Sequence, residues 1–333
     1  MLHYADGNMI PTTHSASVRP SLIRALGTSL LALSFAGHLW AAEPAGLERR
    51  ETTIADVTAD WHAARTIAPG IAHGRWKLSE PRPLMVNAVR VDGQSPGVRF
   101  HTTGRIESWE NGKTETRRQT VRDYLEDQRR RGVPLTVAIN ADAFSLTTGF
   151  DREDPTDLLG LAVATGEPVS QPAGTPSLVV TKSGEFTIEK LAKDADLSAI
   201  DVAVSGFGLC LQDGRPLPGG KDLNPRTGFG LSKDRRFLFL MTIDGRQPES
   251  AGATTEELGS LLAQVGAADG INMDGGGSTT LARWNQETGT VELLNQPVGD
   301  GNAWSADADP ATFRPTERTN GNNFGVSLEP SRK

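Results

Sequence analysis

Residues 271–280 read Ile-Asn-Met-Asp-Gly-Gly-Gly-Ser-Thr-Thr, so a short apolar run carries Asn272 and Asp274 up to three consecutive glycines. Three glycines in a row let the backbone take positive φ angles and lie against another surface without a Cβ in between. A tight hairpin is the structural alternative for such a run. The amide, the carboxylate, the bare N–H groups and the hydroxyls of Ser278 and Thr279 predict instead a small polar concavity, and the neighbouring motifs favour that interpretation.

The sequence before this stretch predicts a helix and, before the helix, a strand. Residues 254–265 begin with a capping box formed by Thr254 and Glu257, carry leucines at helical spacing and end at Gly266. Residues 236–243 form an apolar run that ends in Asp-Gly-Arg, which is typical of a buried strand followed by a turn. A capped helix is therefore expected between two apolar runs, each of which is followed by an aspartate.

The rest of the chain predicts mostly strands and one further helix. Strands are expected over residues 85–91, 135–139, 159–169, 177–180, 201–211 and near 318–327, and a helix over 120–131. The predicted fold class is α+β, with a mixed α/β arrangement as the alternative. We expect one strand-rich domain over residues 66–330, with a few helices packed on the sheet, after a lead-in segment over 43–65.

Composition excludes some classes of partner. The chain has 333 residues and a net charge of −7, which argues against nonspecific binding to nucleic acid because that needs a strong cationic field. The single cysteine, Cys210, forms no internal disulfide and provides no cysteine cluster for a metal.

The first 42 residues predict an export leader. Arg19 and Arg24 precede a short apolar segment, as in a secretory signal. A retained anchor and an ordinary buried helix are the alternatives. An exported chain without disulfides fits a bacterial periplasm or exterior, with membrane contact only through a retained leader.

Polar side chains recur where predicted strands end, the place at which a sheet commonly presents functional groups. These residues are Asn140, Asp142, Arg226, Asp244, Arg246, Asn272 and Asp274. The six histidines, at positions 3, 14, 38, 62, 73 and 101, lie outside these motifs, which argues against a Ser278–His–Asp triad and a histidine-ligated zinc. The remaining carboxylates, amides and guanidinium groups suit an anionic substrate, with arginine on phosphate and a carboxylate acting on a sugar carbon or a water.

Three motifs together resemble the phosphodiester glycosidase family. They are Asp244-Gly-Arg-Gln-Pro, then Ser250-x-Gly, and then Asn272-x-Asp-Gly-Gly-Gly-Ser-Thr after the capped helix. The resemblance is strongest over residues 224–281 and extends more weakly over 69–326. It implies hydrolysis at the sugar side of a sugar-1-phosphodiester, with a sugar such as N-acetylglucosamine.

The resemblance also implies a set of site residues. It implies catalytic roles for Asp274, Asp244, Asn272 and Asn140, and substrate binding by Arg226, Arg246, Gly275, Gly276, Gly277, Ser278, Thr279, Arg318 and Asn322. Where the family often has two glycines, this chain reads Asn140-Ala-Asp-Ala-Phe, so Asp142 becomes an additional carboxylate candidate.

The chemistry of the leaving group suggests which role each of these residues has in the reaction. A departing phosphate monoester is already a stable anion, so arginine can replace much of what a general acid supplies elsewhere. Our hypothesis is that Arg226 and Arg246 hold phosphate and that Asp274 or Asp244 acts as nucleophile or base. The N–H groups of residues 275–278 would form an anion-binding nest.

The sequence is also compatible with two other functions. One is a metal-assisted phosphodiesterase that cuts the P–O bond, with Asp142, Asp244 and Asp274 as ligands of Ca²⁺ or Mg²⁺. The other is a non-catalytic glycan-binding module that serves exopolysaccharide assembly. Apart from such a divalent cation, we expect no cofactor.

Overall fold

The computed structural model describes residues 52–58, 60–61, 64–145, 153–299 and 314–329, all within one compact unit over residues 50–333. The predicted leader and the first part of the predicted lead-in lie outside the described residues. No helix within these ranges has the length and apolar content to cross a membrane.

Twenty strands and two α-helices make up the described chain. In chain order they are β1 (Arg65–Ala68), β2 (Ile71–Leu78), β3 (Leu84–Asp92), β4 (Val98–Thr102), β5 (Thr116–Arg117), α1 (Val121–Arg130), β6 (Leu135–Asn140), β7 (Pro155–Thr156), β8 (Ala162–Ala164), β9 (Glu167–Ser170), β10 (Pro176–Thr181), β11 (Phe186–Lys190), β12 (Ile200–Ser205), β13 (Gly208–Gln212), β14 (Arg215–Pro216), β15 (Arg226–Leu231), β16 (Phe237–Ile243), α2 (Thr255–Gln264), β17 (Asp269–Asn272), β18 (Leu281–Asn285), β19 (Thr290–Leu293) and β20 (Asn323–Leu328).

The strands form three larger sheets. The first has the order β1-β2-β3-β16-β15-β17-β13-β14, the second β19-β18-β6-β20-β4 and the third β11-β10-β12-β8-β9, while β5 pairs with β7. Every pairing between these strands is antiparallel, including those of β16 and β17 with β15, so the α2 connection crosses over β15. A strand-rich domain with few helices is thus confirmed, whereas the described strands show no adjacent parallel pair of the kind a mixed α/β sheet requires.

The main core lies between the first two sheets and is closed by the third. Phe229 of the first sheet packs near Phe324 of the second, with ring centroids 5.3 Å apart. The outer face of the first sheet is covered by α2 and by Trp61 from the lead-in, and the outer face of the second by α1. Both helices begin after a threonine N-cap, which is Thr254 for α2, as predicted, and Thr120 for α1. The helices therefore cover the outer faces of the two sheets and leave the strand ends to build a site.

Two predicted strands are each divided in two. Residues 159–169 contain the hairpin β8–β9, which turns at Thr165 and Gly166, with φ angles of 51° and 76°. Residues 201–211 contain β12 and β13, which belong to different sheets. The chain changes sheet at Gly206, a position that needs a glycine because a Cβ there would lie 2.5 Å from the carbonyl oxygen of Asn272. A continuous apolar run shows burial but does not show which sheet buries it.

This close approach predicts the effect of a methyl group at Gly206. An added Cβ would also lie 2.3 Å from Cγ2 of Ile271, so we expect Gly206→Ala to lower the free energy of unfolding by about 1–3 kcal/mol. Gly208→Ala is the matched control, since a Cβ there meets nothing within 4 Å. Equal denaturation midpoints for the two variants would contradict the argument.

Candidate active site

The ends of several strands meet at one end of the first two sheets. In the first sheet, Gly228 near the start of β15 lies opposite Asn272 at the end of β17. In the second, Asn323 at the start of β20 lies opposite Asn140 at the end of β6. The triglycine loop follows β17 and therefore lies where the two sheets meet.

Asn140 is buried and holds this loop from behind. Its Nδ2 donates to the carbonyl oxygen of Asp274 at 2.7 Å. Its Oδ1 accepts from Thr227 Oγ1 at 2.8 Å and from the Thr280 N–H at 3.1 Å. All these contacts are internal, so Asn140 acts in this structure as a positioning residue that joins the two sheets to the loop.

The loop contains a short 3₁₀ turn, Gly276–Ser278. The Gly276 N–H donates to the Pro225 carbonyl at 2.9 Å, and the N–H groups of Ser278 and Thr279 donate at 3.2 Å to the carbonyls of Gly275 and Gly276. These three donors are used within the protein. Two of the four N–H groups of the predicted nest, those of Gly276 and Ser278, therefore already have partners within the protein.

Asp274 is the partly accessible carboxylate of the site, with a side chain 13% exposed. Its Oδ2 accepts a short hydrogen bond from Ser278 Oγ and lies 3.7 Å from Nη2 of Arg318. The Nε of Arg318 also donates to Ser278 Oγ at 3.2 Å. Burial raises the pKa of Asp274 to about 6, while Ser278 and Arg318 limit that rise. Asp274 is therefore ionised at neutral pH.

Two guanidinium groups lie over the bare glycines of the loop. A Cβ on Gly276 would be 3.4 Å from Nη2 of Arg246, and a Cβ on Gly277 would be 3.4 Å from Cζ of Arg318. Nη2 of Arg246 donates to Asn224 Oδ1 at 2.6 Å, which orients that side chain. The consecutive glycines thus make room for two cations beside one carboxylate.

Asp142 lies fully buried behind this site. Its Oδ1 accepts from the Ser205 N–H at 2.7 Å, and its Oδ2 accepts from Nδ2 of Asn322 at 2.7 Å. Asn322 is itself fixed by Thr102, whose Oγ1 donates to the Asn322 Oδ1 at 2.7 Å. Burial raises the pKa of Asp142 to about 8, and the charge of Asp274 contributes to the rise. Asp142 is therefore protonated at neutral pH, and Asn322 holds it in place.

The raised pKa of Asp142 predicts how stability changes with pH. An aspartate in the unfolded chain loses its proton near pH ~4, whereas folded Asp142 keeps it up to about pH 8. Folding binds a proton in this window, so this group's contribution to stability is largest below pH ~4 and decreases as pH rises. We expect the unfolding free energy of Asp142→Asn, relative to the unchanged protein, to increase from pH 4 to pH 9 in denaturant titrations. A pH-independent difference would contradict the assignment.

Asp244 lies in different surroundings from Asp274. It accepts from Nδ2 of Asn295 at 2.9 Å and from the Gln296 N–H at 3.2 Å, and it lines a cavity of about 510 Å³ together with Arg75. Burial raises the pKa of Asp244 to about 7. Asn295 also donates to the Thr279 carbonyl at 3.1 Å, so Asp244 supports the loop from its far side.

Arg226 lies against the start of the triglycine loop, where a Cβ on Gly275 would be 3.7 Å from its Cα, and Asn272 ends the strand before that loop. Arg226 donates from Nε to the Ala253 carbonyl at 2.9 Å and from Nη2 to the Asp222 carbonyl at 2.7 Å, so its guanidinium holds a neighbouring loop. Asn272 lies opposite Gly228 on the neighbouring strand. A Cβ on Gly228 would contact Leu258 of α2. Because cross-strand partners share a face, Asn272 lies on the α2 side of the sheet.

The two alternative constellations are not assembled in the described residues. Ser278 contacts Asp274 and Arg318, whereas His73 contacts Asn87 and His101 contacts Ser327. His62 lies outside the described residues. Within those residues, no three His, Cys, Asp or Glu side chains are grouped as metal ligands, so Asp142, Asp244 and Asp274 do not form the ligand set that the metal-assisted mechanism requires.

Sequence reasoning missed several supporting residues. Asn224 orients Arg246, Thr227 fixes Asn140, Ser205 binds Asp142 through its N–H, and Asn295 binds Asp244. Asn224 directly precedes the Pro225-Arg226 pair, so its position beside a predicted site residue was the available signal. The Ser205 contact is made by a backbone N–H and has no signature in the sequence.

The fold and the site together define a strand-rich domain with a carboxylate–arginine site where two facing sheets end. A family model described as phosphodiester glycosidase matches residues 135–326. The chain belongs to the phosphodiester glycosidase family, which confirms the resemblance noted in the sequence. No curated protein matches the sequence.

Two solved structures are similar in fold. The catalytic domain of zebrafish N-acetylglucosamine-1-phosphodiester alpha-N-acetylglucosaminidase, auto-inhibited by pro-peptide, gives a TM-score of 0.58 at 17% identity, with 80% of this chain and 86% of that chain covered. A hypothetical protein from Synechocystis gives a TM-score of 0.51 at 15% identity, with 78% of this chain and 62% of that chain covered. At these identities the likeness shows a shared fold.

Proposed function

We propose that this protein is a hydrolase that cleaves the glycosidic C–O bond of a sugar-1-phosphodiester. The observation that carries the proposal is the placement of Arg246 and Arg318 over Gly276 and Gly277, beside the accessible carboxylate of Asp274. Guanidinium groups bind phosphate oxygens, and a carboxylate next to them can reach the adjoining sugar carbon. Membership in the phosphodiester glycosidase family supports this reading.

The charges of the site match this reaction. With Asp142 neutral, Arg246, Arg318 and ionised Asp274 leave one net positive charge to receive an anionic phosphodiester. Asp274 attacks the anomeric carbon or takes a proton from the attacking water. The two arginines stabilise the phosphate monoester as it departs, and such groups contribute most when they are held in place before the reaction. Ser278 and Asn140 keep the carboxylate and its loop in position.

These protonation states predict a bell-shaped dependence of kcat/KM on pH. Asp274 must be ionised, so activity should fall tenfold per unit below about pH 6. Ionisation of Asp142 would add a second negative charge, so activity should also fall above about pH 8. Asp142→Asn should remove the upper limb and keep the lower one, and an unchanged upper limb would contradict the role of Asp142.

The wider setting is part of the proposal. The basic and apolar leader pattern in residues 1–42 supports export to the periplasm or exterior of a bacterium, where the substrate would be an envelope or extracellular glycan such as an exopolysaccharide. N-acetylglucosamine is the sugar that we propose first, because the similar zebrafish enzyme is named for it.

Hydrolysis in ¹⁸O-labelled water tests the proposal directly. Cleavage of the sugar C–O bond places the label in the sugar, whereas cleavage of the P–O bond places it in the phosphate. Methyl N-acetylglucosamine-1-phosphate and UDP-N-acetylglucosamine are suitable substrates. Label in the phosphate together with loss of activity in EDTA would overturn the proposal in favour of a metal-assisted phosphodiesterase, and saturable binding without turnover would indicate a glycan-binding module.

A further inference from the structure

Three large hydrophobic side chains are exposed in the part of the chain that the structure describes. They are Leu159, Phe207 and Leu223, with exposed fractions of 49%, 58% and 43%. Single exposed hydrophobic residues are ordinary, whereas a group of them at one place marks a binding surface. All three belong to segments at the end of the sheets that carries Asp274, and we call them the apolar rim.

Phe207 lies beside the end of β17. Its N–H donates to the Asn272 carbonyl at 2.9 Å, just before β13 begins. The preceding Gly206 lies so close that a Cβ on it would be 3.0 Å from Sδ of Met273. Phe207 thus flanks the residues that lead directly into Asp274.

Leu223 flanks the same strand end from the other side. It precedes Asn224, the residue that orients Arg246, in the loop that leads into β15. Strand β17 lies between β13 and β15. Phe207 and Leu223 therefore lie on opposite sides of β17, and Leu223 is on the side of the Arg246 guanidinium.

Leu159 completes the rim from the neighbouring sheets. Its N–H donates to the Ala143 carbonyl at 2.8 Å, one residue beyond Asp142. The next residue, Gly160, is packed so closely against Ser205 that a Cβ there would lie 2.6 Å from the Ser205 Cβ. Leu159 is thereby held next to the segment that supplies the N–H bound by Asp142.

We infer that the apolar rim binds the non-sugar arm of the substrate, and hence that the substrate is a sugar-1-phosphodiester of an apolar alcohol. The inference rests on the proposed function. Exposed hydrophobic residues on the segments next to Asn272, Asn224 and Ala143, together with the cations at Arg246 and Arg318, fit an amphiphile whose phosphate joins a sugar to an alkyl chain. Hydrolysis breaks the bond between the anomeric carbon and the phosphate oxygen, and water supplies a hydroxyl to the sugar and a proton to the alkyl phosphate.

The test compares the methyl and n-octyl esters of N-acetylglucosamine-1-phosphate, both below the micelle concentration. A fully buried methylene contributes about fourfold, so partial cover of an octyl chain predicts a kcat/KM at least about tenfold higher for the octyl ester. Phe207→Ser and Leu223→Ser should each lower the octyl-to-methyl ratio. Leu197→Ser is the control and should leave the ratio unchanged, because Leu197 is a half-buried leucine before β12 that packs against the third sheet. A ratio near one in the unchanged protein overturns the inference.

Calorimetric binding of both esters to the Asp274→Asn protein separates this inference from the proposed function. Tighter binding of the octyl ester without hydrolysis by the unchanged protein would overturn the proposed function but support the rim. Equal affinity for both esters would overturn the inference that the rim binds the alkyl arm, even where hydrolysis is observed. Binding to phosphatidylglycerol vesicles is the last measurement. If vesicle binding depends on the rim residues while the octyl and methyl esters are hydrolysed equally well, the rim contacts a membrane surface and the inference is overturned.

Discussion

Asp274→Asn is expected to reduce kcat on a sugar-1-phosphodiester by at least about a thousandfold. Asparagine keeps the size of the side chain and can still accept from Ser278, but it can neither attack the anomeric carbon nor take a proton from water. The fold should persist, because the loop is held through the Asp274 carbonyl by Asn140 and through Gly276 by Pro225. Initial rates with methyl N-acetylglucosamine-1-phosphate measure the loss.

Asp213→Asn is the matched control for this substitution. Asp213 is exposed at a turn with a φ of 49°, a left-handed conformation that asparagine also adopts readily. The control should retain full activity. Activity of Asp274→Asn within tenfold of the unchanged protein would show that Asp274 takes no part in the chemistry and would favour Asp244, the alternative nucleophile or base in the sequence-based hypothesis.

Arg246→Lys is expected to lower kcat by about a hundredfold, and Arg318→Lys by at least as much. Lysine keeps the positive charge but loses the planar pair of donors that binds phosphate oxygens. Arg318 should show the larger loss, since it also binds Ser278 beside Asp274. The measurement is kcat and KM on the phosphodiester, with inhibition by inorganic phosphate as a second readout that should weaken in both variants.

Arg235→Lys is the control for the arginine variants. Arg235 forms an ion pair with Asp269 at 2.7 Å at the opposite end of β17, and its side chain is 43% exposed. Its replacement by lysine should leave kcat within about twofold of the value for the unchanged protein, as expected for an ion pair at the surface. If Arg246→Lys and Arg318→Lys behave like this control, the two guanidinium groups do not hold phosphate.

The elements with strong local signals were predictable from the sequence. The capping box at Thr254 and Glu257 and the leucine stripe predicted α2, and β6 and β16 lie almost where their apolar runs placed them. These signals are local, because capping and hydrophobic periodicity depend on residues within a few positions of each other. The division of residues 201–211 was not predictable, because the close approach of Gly206 to the Asn272 carbonyl joins residues that are distant in the sequence.

The sequence by itself determined the chemical content of this protein: carboxylates, arginines and amides at strand ends, three glycines together and histidines elsewhere. Those features depend on residue types and spacing, and they were sufficient to indicate the family. The tertiary structure alone decided that Arg318 joins Arg246 over the triglycine loop, that Asp142 is buried and neutral, and that Asp244 and Arg226 hydrogen-bond to neighbouring loops. The reason is physical: burial sets a pKa, and the pairing of strands with the loops at their ends brings residues 140, 227, 274 and 318 together from separate parts of the chain.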